Sequence, residues 1–249
     1  MDTAVKVKLH RFGAWCGAGY VVSLIIGWIF IAGFLPPPSP AAPAEQIAAI
    51  FQQDTNRIRI GMLFVMLGAL LMIPFTASIV RMLSRIEGGP GMLGYSALLG
   101  GVGNMVLTFY PATYWLWGAY RPDRDPQLLY MINDLAWLQF IGGVTMYLGL
   151  PLAIAAGGLL DTRPNPVIPR WAGYANIWMV IIIIPDQLLF FFQSGPFTWN
   201  GVFGLYLPLT SFFGWFALTV YLVLKSADRV VAEESVPLPS DSASPAPRG

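Results

Sequence analysis

Cysteine, histidine and charge are all scarce in this chain. Cys16 is the single cysteine and His10 the single histidine among 249 residues. One thiol excludes an internal disulfide, a CxxC redox centre and a thiolate metal cluster within one chain. One imidazole excludes a bis-histidine haem, a histidine-box di-iron centre and an HExxH zinc site. No metal and no cofactor are expected. Charged residues make up 11%, where a soluble domain carries about a quarter. The net charge of +1 offers no footprint for nucleic acid.

What the chain has instead is apolar surface: 56% of its residues are hydrophobic and the mean hydropathy is +0.62. At about 20 residues per span, this length holds six or seven membrane helices and no separate soluble domain. The expected fold is all-α, a polytopic bundle forming one domain over 1–224. Its spans fall near 14–35, 58–83, 92–120, 128–160, 171–193 and 197–224, with a disordered cytoplasmic tail over 225–249. The first apolar run is too long for a signal peptide core, and Pro36-Pro37-Pro38 follows it, so it reads as an uncleaved helix behind a short basic tail. Between 44 and 54, Ile47, Ile50 and Phe51 share one helical face opposite Gln46 and Gln53, which predicts a short amphipathic helix lying on the bilayer. Pro74 predicts a kink in span two, and Gly94, Gly100, Gly101 and Gly103 predict close helix contacts in span three.

Basic residues set the orientation. With the N-terminus inside, Lys6, Lys8, Arg11, Arg81, Arg85, Arg163, Arg170, Lys225 and Arg229 lie on the cytoplasmic side. Only Arg57, Arg59, Arg121 and Arg124 lie outside. Nine against four predicts both termini in the cytoplasm of a multi-pass protein, with a bacterial inner membrane as its expected location.

Ionisable groups inside a bilayer are costly and mark function by default. Of 13 acidic residues, only Asp134 and Asp186 fall well inside a predicted span, each about two turns from its outer end. Other candidate contacts gather at that level. Asn133 and Trp137 lie beside Asp134, Gln187 follows Asp186, and span three offers Thr108, Tyr110, Tyr114 and Trp115. Trp199 and Asn200 open span six, and Arg59 stands at the outer end of span two. Two carboxyls in one low-dielectric site would share a proton, one donating and the other accepting. The same residues could equally be helix glue, with an Arg59–Asp134 pair at its centre. Asn104 and Asn176, set deeper, read as interhelical hydrogen-bonding groups.

Three functions fit. The first is binding of a hydrophobic, lipid-like ligand or a partner membrane subunit in an outer-half pocket. The second is an intramembrane enzyme using both carboxyls to isomerise or cyclise a sterol-, terpenoid- or quinone-like substrate. The third is a small proton-coupled transporter. Membrane lipids are the expected partners in all three.

Overall fold

The computed structural model describes residues 2–234, with side chains described as far as residue 229. Helix α1 (Thr3–Leu24) runs on as a π-helical turn, Ile25–Ile31, and a proline-rich loop leads to the short α2 (Ala44–Gln53). The second span is α3 (Thr55–Ala69) with α4 (Met72–Glu87), and the third is α5 (Met92–Tyr120). The fourth joins α6 (Pro126–Gly142) to α7 (Gly149–Leu160) through a 3-10 turn, Gly143–Met146. The fifth is α8 (Arg170–Ile183) continued as a 3-10 helix, Ile184–Phe191. A π-helical turn, Val202–Tyr206, opens the sixth, α9 (Leu207–Glu234). Among the described residues there is no strand, and six helices are long and apolar enough to cross a membrane. The protein is an all-α, multi-pass membrane bundle. The end carrying Thr3 is the terminal end of the bundle, and the opposite end is the distal end.

Helix boundaries follow from local chemistry. Asp125 accepts a hydrogen bond from the Gln127 amide at 2.8 Å and Pro126 takes the first helical position, so α6 starts there. Gly88, at φ 76°, closes α4 in the left-handed conformation that glycine adopts without strain. Glu87 then caps α5, its two oxygens accepting from the amides of Leu93 at 2.9 Å and Gly94 at 3.1 Å. The break between α3 and α4 comes just before Pro74, which has no N–H to offer the carbonyl of Leu70. The chain tightens there, with Leu71 N donating to Gly68 O at 2.9 Å.

Lipid tails are as apolar as leucine, so helices in a bilayer associate by close packing and hydrogen bonds rather than by hydrophobic drive. The contacts here match that requirement. A Cβ on Gly27 would stand 2.6 Å from the carbonyl of Gly61, and one on Gly158 would stand 3.1 Å from the Cα of Gly173. These glycines let α3 close on the π-helical turn of span one and α7 close on α8. Helix α5 is central, touching α3, α4, α6 and α7, while α1 packs along α9. Asn176 joins α8 to α9: its Oδ1 accepts from Trp215 Nε1 at 2.7 Å, and its Nδ2 donates to Ala172 O at 2.8 Å.

Four features differ from the sequence expectation. Helix α1 already begins at Thr3, so most of the basic N-terminal segment is helical. Helix α9 continues through Glu234, so the expected tail is helical over its first ten residues, and 235–249 lie outside the described residues. The apolar face of α2 meets protein, not lipid: Ile47 and Phe51 are each 1% exposed, and Phe51 fills the slot left by Gly118 on α5. Finally, span four is broken. A continuous helix over 128–160 would measure about 50 Å at 1.5 Å per residue, far beyond a core of about 30 Å. The chain interrupts it at Gly142-Gly143.

Candidate functional site

Two broken spans meet near the middle of the bundle. In span five, Pro185 removes a ladder donor, α-helical winding stops at Ile183, and the 3-10 segment turns Asp186 inward. In span four, winding stops at Gly142, where the side-chain amide of Gln187 donates to the backbone carbonyl at 3.0 Å. The same amide donates to Asp186 Oδ1 at 2.8 Å. Asp186 is 0% exposed, and its second oxygen, Oδ2, has no hydrogen-bond partner.

That carboxyl lines a cavity between spans one, three, four, five and six. The cavity admits the centre of a water molecule over about 40 Å³, room for about three waters. Its walls are almost wholly apolar, with Leu107, Phe140, Val144 and Phe212 among them. The polar side chains on it are Asp186, Thr108 and Tyr147, all fully buried. Thr108 Oγ1 donates back to Asn104 O at 3.2 Å. Tyr147, at the end of the 3-10 turn, lies within electrostatic reach of Asp186. A carboxyl here has one neutral amide on one side and an apolar space on the other.

The sequence-derived candidates divide into three groups. Asp186 and Gln187 form the site just described. Asp134 does not join them. It lies eight residues before Gly142 on α6, about 12 Å nearer the distal end. Its carboxyl is half-buried, with Oδ1 unpartnered. The equal depth read from the sequence fails because Gln187 ties Asp186 to Gly142, at the end of α6 away from the distal side. Residues 192–201 are not helical and form the distal closure.

The second group is an aromatic cluster on the distal side of the cavity. Trp115 and Trp137 stand 5.2 Å apart between ring centroids, and Trp199 stacks on Trp137 at 6.4 Å. Three rings outside the sequence-derived set complete it: Trp28, Phe34 and Phe140. The buried indole N–H groups of Trp28, Trp115 and Trp137 find no acceptor, nor does Asn133 Nδ2.

The third group stands elsewhere. Tyr110 is 47% exposed, and with the half-buried Tyr114 it forms a flank of α5 that faces outward. Asn200 accepts from Thr198 at 2.6 Å within a turn. Arg59 does not pair with Asp134. Its guanidinium donates to Ala119 O at 2.8 Å and closes the C-terminal end of α5. Asn104, expected to bond between helices, is buried with neither side-chain atom partnered.

Sequence reasoning missed Tyr147 and Phe212 as site residues. The signal for Tyr147 was present in the excess length of span four and its glycines at 142, 143 and 149. Phe212 carries no local mark among 16 phenylalanines. No family model, curated protein or solved structure matches this chain.

Proposed function

We propose that this membrane protein binds an apolar molecule through one polar group, in the cavity beside Asp186. The observation that carries the reading is the carboxyl itself. It is fully buried, held on one oxygen by Gln187 and unpartnered on the other. An unmatched buried polar group costs about 1–3 kcal/mol, and a ligand's polar group would relieve that cost. The apolar walls suit the rest of such a molecule. The excess of basic residues at the terminal end orients that end toward the cytoplasm, which suits a bacterial inner membrane.

The test is extraction. Wild-type protein, purified in mild detergent, is expected to release an apolar compound near one equivalent by mass spectrometry. Asp186→Leu is expected to release far less while remaining folded. Equal release from both proteins, or none from wild type, removes the reading.

A second reading, proton-coupled transport, has one observation in its favour. Spans four and five both lose α-helical winding beside Asp186, an arrangement that secondary transporters use at their substrate sites. Proton uptake into proteoliposomes that vanishes in Asp186→Asn would support it. The acid/base enzyme reading needs two carboxyls together, and the separation of Asp134 from Asp186 gives it no such pair.

A further inference from the structure

We infer that the molecule bound beside Asp186 is a lipophilic monocation, an alkylammonium head on a linear apolar tail. The inference rests on the pocket reading above and adds the charge and shape of the ligand.

Charge comes first. The residues described around the cavity include no Lys, Arg or His, and the one group bonded to Asp186 is the neutral amide of Gln187. Arginines that the sequence could have offered are engaged at the ends of the bundle. Arg59 closes α5, Arg57 pairs with Asp54 at 3.0 Å, and Arg163 pairs with Asp161 at 2.7 Å. A buried carboxylate persists beside a counter-charge and is otherwise neutralised. The fold supplies no cation, so a cationic ligand is what would hold this carboxyl in its ionised form. An anionic ligand, whether fatty acid or phosphate, would meet like charge and no basic partner.

The walls agree with a cation. Phe140, Tyr147 and Phe212 line the same small space, and an ammonium group within about 6 Å of an aromatic ring centre is attracted to its face. Tyr147 is the other titratable group lining it, and a phenol brings no positive charge.

Shape follows from size and exposure. Room for about three waters holds a head group and its first carbons, not a fused-ring body. Of the residues described around the cavity, Leu209 alone is not buried. The tail therefore leaves past Leu209, along α9, toward the lipid. A linear chain fits that exit.

The experiment uses the full chain in phosphatidylcholine nanodiscs, with thermal melting read by tryptophan fluorescence. Decylamine, decanol and decanoate are compared at neutral pH. Decylamine is expected to raise the wild-type Tm by several degrees and that of Asp186→Asn by nothing, while decanol and decanoate leave both unchanged. Leu209→Trp keeps the carboxyl and fills the exit, so it is expected to lose the decylamine shift even if Asp186→Asn fails to fold. Decanol as effective as decylamine overturns the cation and leaves the pocket reading standing. A decylamine shift that survives in either variant also overturns the inference. No shift with any of the three overturns the inference and the pocket reading together.

Discussion

The indole N–H of Trp199 donates to the carbonyl of Pro38 at 2.9 Å, across 161 residues of chain. That bond ties the turn before span six to the proline-rich loop after span one. Tyr130 reinforces it, its hydroxyl donating to Pro40 O at 2.9 Å. Together they hold the distal closure over the aromatic cluster. Trp199→Phe keeps an aromatic ring beside Trp137 and deletes the donor. It is expected to cost about 1 kcal/mol of stability and to raise hydrogen exchange at Ala41 and Ala42, next to the bonded prolines. Unchanged exchange there would mean the loop is held by its own turns.

Asn176 and Trp215 form a buried pair between α8 and α9. Asn176→Leu strands the indole donor and is expected to destabilise by about 1–3 kcal/mol. Adding Trp215→Phe removes the stranded donor, so the double variant should recover part of the loss. A double-mutant cycle by thermal melting checks this. Purely additive effects would show that the hydrogen bond contributes nothing beyond packing.

Asp161, in the loop after α7, is held below the usual carboxylate range, first by its hydrogen bond with Arg163 and also by the Val167 amide. A lowered folded-state value stabilises the fold above the unfolded value, about pH 3.9. That contribution is lost as pH falls from there through the lowered value. Asp161→Asn is therefore expected to melt below wild type at pH 6 and to converge with it as pH drops below 4. A constant gap across that range would assign the effect to shape rather than charge.

Reporter fusions test the orientation. Fusions after Asp123 and after Pro196 are expected to read outside, and those after Glu87 and after Asn165 inside. Both pairs follow from the basic residues gathered at the terminal end. An inverted pattern would place the Asp186 cavity's nearer face toward the cytoplasm.

Composition and periodicity carried the fold a long way. The six apolar runs, the turns at Gly88 and Asp125, and the helical face of Ile47 and Phe51 are all consequences of local sequence. For apolar runs of about 20 residues the helix is the spanning form, because it satisfies every backbone N–H and C=O within the segment. Depth and partnership are another matter. Asp134 and Asp186 look equivalent along the chain, each a lone acid two turns from a span's end. Only packing separates them. Pro185 and Gly142 interrupt two different helices, and Gln187 bridges the interruption by donating to both Gly142 and Asp186, while Asp134 lies about two turns earlier on α6. Likewise, the pattern of α2 requires an apolar partner but does not say which. Gly118, 67 positions after Phe51, makes that partner protein rather than lipid. Local sequence fixes which groups must be hidden, and the tertiary contacts decide what hides them, because close packing depends on shape between segments that the chain's order does not bring together.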